Sequence, residues 1–174
     1  MPIKAPTQTN PAKGTQFRWV YIILPAVLLV VAIVLAALFY SRLPGQLAYH
    51  FSAGAPDRWV SRAAFIYWTV VPQAVFALLS FAIVRTILLV VSRWAFESPV
   101  LEKLLLVMGN LLALPQLIVL FTMLDVFLYN SYQVKLISVW VFALAVLALG
   151  AIILGILLVR AGRQARRLYD RKQE

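Results

Sequence analysis

Apolar residues fall into four long runs separated by short polar segments: Trp19–Tyr40, Ala64–Val84, Leu104–Leu124 and Leu136–Val159. A hydrocarbon core of about 30 Å takes about 20 helical residues, and each run meets that length. Ile87–Val91 continues the second run beyond Arg85, which predicts spans of about 19–40, 64–91, 104–124 and 136–159. The expected fold is all-α, an integral membrane four-helix bundle filling residues 18–159. The first run is longer than the roughly 7–15 apolar residues of a signal peptide, and no small-x-small cleavage site follows, so it is read as a retained anchor. Residues 1–17 hold Pro2, Pro6, Pro11 and Gly14 among polar neighbours, a composition that predicts a disordered tail.

Composition strengthens this reading. Of 174 residues, 63% are hydrophobic and 13% charged, against about 45–50% and about 25% in soluble domains. A soluble enzyme domain is excluded, and the length suits one small bundle. With no cysteine in the chain, disulfides, thiolate metal sites and thiol nucleophiles are excluded as well. A net charge of +10 could point to nucleic acid, but in so apolar a chain basic residues mark the cytoplasmic ends of spans. With the N-terminus inside, twelve lysines and arginines lie in the cytoplasm and only Arg42, Arg58, Arg62 and Lys135 lie outside. The expectation is therefore a multi-pass protein of the cell (cytoplasmic) membrane with both termini cytoplasmic, the loop 41–63 outside, and no nucleic-acid partner. Tyr40, Tyr49, Trp59, Tyr67 and Trp68 would rim that loop at headgroup level.

Polar and small residues inside the spans need partners or roles. Ala32 with Ala36, Ala151 with Gly155, and Ala148, Gly155 and Gly162 on one face of the last helix are spaced for close helix packing, read first as packing within this bundle and second as a dimer interface. Arg85 is expected to snorkel toward the cytoplasmic rim; the alternative pairs it with Asn110 at similar depth, with Glu102 as a nearby counter-charge. Asn110, Leu114, Leu117, Phe121 and Asp125 fall near one stripe of the third helix, and Asp125 is expected at the outer interface near Lys135. Pro25, Pro72 and Pro115 are expected to kink three spans, with Gln73 and Gln116 satisfying freed carbonyls.

The most specific stretch is Leu43-Pro44 followed by His50-Phe51-Ser52-Ala53-Gly54-Ala55-Pro56-Asp57-Arg58-Trp59 and ending at Arg62. Gly54 permits a positive φ and Pro56 fixes the chain entering Asp57, a turn signal. The spacing L-P, then H-F-x-x-x-G-x-P-D-x-W-x-x-[K/R], resembles the domain-of-unknown-function 1648 family over roughly Ala26–Gln73. That family is best known as the N-terminal part of SdpI-type immunity proteins, which protect a bacterium from its own secreted killing factor. Ser52 stands where asparagine is common and Val60 where glycine is common, and the chain has four spans without the longer C-terminal membrane region of the full immunity proteins. The resemblance implies a membrane fold and, as an expectation, immunity or signal sensing through the outer loop.

Within the loop, Pro44, His50, Phe51, Gly54, Pro56, Asp57, Trp59 and Arg62 are the candidate ligand-binding or structural residues. His50 and Asp57 supply at most two of the three or four ligands a zinc site needs, so no metal and no cofactor is expected. Ser52 or Ser61 with His50 and Asp57 is a weak basis for hydrolysis, and no catalytic residue is assigned. The structural reading has Asp57 accepting bonds from the backbone or His50, Trp59 at the interface and Arg58 or Arg62 on lipid phosphate; the functional one is recognition of an extracellular peptide, toxin or lipid. Residues 160–174 form a basic tail. Arg160, Arg163, Arg167 and Arg171 line one helix face suited to an anionic inner leaflet at ~1 kcal/mol per basic residue. The sequence thus points to a non-enzymatic membrane protein that senses a signal or confers immunity, the alternative being a small transporter or an accessory subunit with a membrane-protein partner.

Overall fold

The computed structural model describes residues 16–52, 54–94 and 99–170. In chain order these form a 3-10 turn (Trp19–Tyr21), helix α1 (Ile23–Tyr40), strands β1 (Gln46–Ser52) and β2 (Ala55–Ser61), and helices α2 (Arg62–Trp94), α3 (Pro99–Asn110), α4 (Ala113–Tyr132) and α5 (Val139–Asp170). Ile23–Tyr40, Arg62–Val91, Leu101–Tyr132 and Val139–Leu157 are each long and apolar enough to cross a bilayer. Leu24, Val30, Leu38, Leu78 and Leu144 are each at least half exposed, apolar surface that water would penalise and lipid covers. The protein is an integral membrane protein built from helices, with one small sheet.

That sheet is the first departure from the sequence reading, which treated 41–63 as a loop. Gln46–Ser52 and Ala55–Ser61 pair antiparallel, and Gly54, at φ +83°, closes the turn between Ser52 and Ala55. The second departure is the third span. Pro115 has no N–H and its ring crowds the carbonyl four residues back, so it leaves Leu111 O without its helical partner. Leu111 O instead accepts from Leu114 N at 3.2 Å, and α3 gives way to α4 over residues 111–112. Pro25 and Pro115 stand at the third residue of α1 and of α4, where a missing N–H costs nothing. Of the three intramembrane prolines expected to kink spans, only Pro72 lies in a helix interior.

The core lies in two apolar clusters, one among α1, α2 and α4 and the other among the 3-10 turn, α2 and α3. One gathers Ala32, Phe65, Met123, Val126 and Phe127 beneath Leu43 and Leu47, which the hairpin segment inserts between the helix ends. The other gathers Tyr21, Ile22, Val84, Leu88, Leu101 and Leu105 at the opposite end. Between them lies a buried polar layer. Gln73 Nε2 donates to Gln116 O and Gln116 Nε2 donates to Gln73 O, both at 2.9 Å, and Gln116 Nε2 also reaches Pro25 O at 3.3 Å. The two amides therefore clasp neighbouring helices, and the carbonyls they meet are not the ones expected to be freed by Pro72 and Pro115.

Helix α5 packs on α4, through Gly150 against Leu114 and Phe142 stacked on Phe121 with centroids 3.9 Å apart. Ala32 and Ala36 belong to the core as expected. The α5 stripe does not: Ala148 and Ala151 are exposed and Gly155 faces open space, because Gly150 is the residue turned to α4.

Candidate functional site

The hairpin sits as a head on one end of the bundle, and its attachment explains which side chains are free. Arg62 N donates to Gly45 O at 3.0 Å, and this fixes the parity of the ladder: Gln46 with Ser61 and Ala48 with Trp59 are non-hydrogen-bonded pairs whose main-chain groups point away from each other. On the β1 side those groups meet a side chain. Ala48 N donates to Asn130 Oδ1 and Asn130 Nδ2 donates to Ala48 O, both at 3.0 Å, so one amide of α4 pairs the strand edge as a third strand would.

Phe51 turns toward the bundle, edge-on to Tyr129 with ring centroids 4.5 Å apart, and the Lys135 ammonium lies 4.4 Å from its centroid. Arg62 Nη1 donates to Tyr40 O at 2.8 Å and Leu43 O at 3.0 Å while its guanidinium covers the Tyr40 ring. Arg62 therefore ties the head to the end of α1 and is not directed at lipid phosphate, as the sequence had allowed. Arg42 reaches the Tyr132 hydroxyl at 2.6 Å, and Ser61 caps α2 by accepting from Ala64 N at 3.3 Å.

Two bulges aim the remaining residues outward. The register steps from Ala48↔Trp59 to His50↔Arg58 and then to Phe51↔Pro56, leaving Tyr49 unpaired on β1 and Asp57 unpaired on β2. The second bulge brings Asp57 to His50, with Oδ1 2.6 Å from Nδ1. This hydrogen bond holds the Asp57 carboxyl below its ordinary value of 3.8, so the carboxylate accepts and Nδ1 donates. His50, Asp57, Arg58 and Trp59 are all exposed, Trp59 by 57%. Tyr40, Tyr67 and Trp68 are exposed at the same end, and Tyr49 packs edge-on to Trp68. Pro44 and Pro56 shape the entry and the turn-side end of the hairpin.

The intramembrane candidates do not join this site. Arg85 is exposed on α2. Asn110, the alternative partner for it, instead bonds main chain: Oδ1 accepts from Leu24 N at 3.0 Å, and Nδ2 donates to Val20 O, Tyr21 O and Leu106 O. Ile22 cannot cap α1 with its own side chain, so Asn110 supplies that cap from α3. Glu102 pairs with Arg18, not with Arg85. Asp125 is buried and accepts from Leu136 N at 2.9 Å, which places it beside Lys135 as expected but inside the α4–α5 junction. Leu114, Phe121 and Asp125 do share a face, turned to α5 and its preceding loop; Asn110 leaves that stripe because the helix breaks at 111–112. Arg160 and Arg163 are exposed near the far end of α5, while the Arg167 side chain and Arg171 lie outside the described residues, as do residues 1–15 of the expected tail.

Sequence reasoning missed Asn130, Tyr129 and Lys135 as the supports of the head. An asparagine two residues from the end of α4 was the available signal, since such a group near a helix end pairs readily with a passing main chain.

Residues 27–71, from α1 through the hairpin into α2, match the family model of a domain of unknown function (DUF1648). This is the family whose pattern the Leu43–Arg62 stretch carries, over nearly the extent expected for it. No curated protein and no solved structure matches the chain.

Proposed function

We propose that this is a non-enzymatic protein of the cytoplasmic membrane that displays its hairpin head outside the cell and there recognises an extracellular peptide or lipid-borne signal, as an SdpI-like immunity or sensing component. The observation that carries the reading is the division of the motif. Phe51, Arg62 and Gly54 serve attachment and turn, whereas Arg58, Trp59 and the mutually paired His50 and Asp57 are exposed on a head anchored to three helices. The bulge at Asp57 presents the His50–Asp57 pair at the surface, and exposed polar and aromatic groups on a rigid support suit binding. The excess of basic residues at the opposite end, Arg160 and Arg163 among them, supports a cytoplasmic position for that end and an anionic inner leaflet as its partner.

The test is a protection assay. Cells expressing the protein are challenged with the peptide fraction of their own spent medium, and survival is compared with cells lacking it. His50→Ala, Asp57→Ala and Trp59→Ala each abolish protection while membrane insertion is retained; unchanged protection in all three overturns the reading. A second reading, an accessory subunit of a membrane complex, is favoured by the uncovered α5 face around Ala151 and Gly155. It predicts that Gly155→Leu releases a co-purifying membrane protein without unfolding the bundle.

A further inference from the structure

The two edges of the hairpin are treated differently. The β1 edge is closed at Ala48 by Asn130. By the same ladder parity, the main-chain groups of Trp59 point to the opposite edge, as does the Ser61 N–H; the Ser61 carbonyl belongs to the first turn of α2. The sheet has two strands, and among the described residues no further strand pairs β2 on that side. Pro56, which has no N–H, and the Asp57 bulge blunt the edge toward the turn. What stays open is short: Trp59 N–H, Trp59 C=O and Ser61 N–H, beside exposed Trp59 and Arg58 side chains.

We propose that this open segment of β2 binds a short, acidic, extended peptide by strand addition, the peptide exchanging hydrogen bonds with Trp59 and setting carboxylates against the basic head. This rests on the recognition role proposed above and names its ligand class and mode. Strand addition takes affinity from main-chain bonds and specificity from alternate side chains. An acidic partner follows from charge: Arg58 stands exposed at the open segment itself, and the head with the adjoining α4–α5 loop carries Arg42, Arg58, Arg62 and Lys135 against one exposed carboxylate, Asp57, while Asp125 is buried. Pairing of two β2 edges from two copies would set Arg58 of each against like charge. The closed stretch at Pro56 and Asp57 limits the added strand to about three or four residues, one pairing on each side of Trp59.

The test uses the full chain in nanodiscs and acetylated heptapeptides alternating Val and Glu, read by isothermal titration calorimetry. Saturable binding is expected below about 1 mM. N-methylation of alternate peptide amides weakens binding about tenfold in one parity and leaves it unchanged in the other, because only one set of amides faces the protein. Trp59→Pro removes an outward N–H without breaking the ladder and binds about tenfold more weakly than Trp59→Ala, which controls for the lost ring; the His50 ring resonance confirms that the hairpin is intact. Equal loss in both parities, or equal binding by the two variants, overturns strand addition, while the protection assay independently judges recognition by the head. No saturable binding by any peptide also overturns it. So does a disulfide-linked dimer of Arg58→Cys that disappears on adding Trp59→Pro, which would assign the edge to a second copy.

Discussion

Asn130→Ala is the perturbation that most directly probes how the head is held. Ala48 is fully buried, and both its main-chain groups depend on the Asn130 amide. Removing that amide deletes two hydrogen bonds and leaves a buried N–H and C=O without partners, at about 1–3 kcal/mol for each. Partial access of water at the bundle end reduces the sum, giving an expected cost of about 2–4 kcal/mol. That cost falls on docking of the hairpin rather than on the helices, which retain their contacts with one another. Hydrogen exchange of the Ala48 amide in detergent micelles reads it directly, and protection should fall about thirty- to a thousandfold while amides in the α1 and α2 interiors change little. Asn130→Asp keeps an acceptor for the Ala48 N–H but sets a carboxylate beside the Ala48 carbonyl, so it should not rescue. Unchanged Ala48 protection in Asn130→Ala would refute the pairing, and an equal fall throughout the bundle would refute the idea that docking opens locally.

Gly109→Ala places a methyl group against the Tyr21 carbonyl oxygen and Val84 Cγ2, and should lower stability by about 1–3 kcal/mol in a detergent unfolding titration; Gly155→Ala meets nothing within 4 Å and should be near neutral. A double-mutant cycle of Gln73→Leu and Gln116→Leu should show a coupling of about 0.6–2 kcal/mol from their reciprocal bonds, with additive effects contradicting the clasp. The Asp57 carboxyl has a depressed pKa, so its contribution to the hairpin is present above 3.8 and is lost as pH falls through the depressed value. The chain has a single histidine, so the His50 ring resonances should report this transition by NMR, and Asp57→Asn should remove it.

The number of spans and their approximate limits were legible because about 20 apolar residues have few other uses. The hairpin was not, since Gln46–Ser61 lacks a clean two-residue alternation: the Tyr49 and Asp57 bulges shift the facing of residues along both strands. The break at 111–112 was present in Pro115, but a proline three residues into a new helix and one inside a kinked helix look alike until the start of α4 is known. Asn110 looked like an intramembrane polar group in need of a charged partner. Its role depends on the 3-10 turn at Trp19–Tyr21, a feature of tertiary packing that one-helix periodicity does not encode. The His50–Asp57 pairing was anticipated among alternatives from two polar residues seven apart. The supports Asn130, Tyr129 and Lys135 lie more than seventy residues away from it in the chain, beyond the reach of any local motif.

Sidedness of the head decides whether it can meet an extracellular ligand at all. The chain has no cysteine, so Ser52→Cys at the exposed end of β1 and Arg163→Cys at the far end of α5 give two single-thiol reporters. In intact cells a membrane-impermeant thiol reagent should label the first and reach the second only after permeabilisation. Labelling of Arg163→Cys in intact cells with Ser52→Cys protected would invert the topology and contradict recognition of any signal from outside.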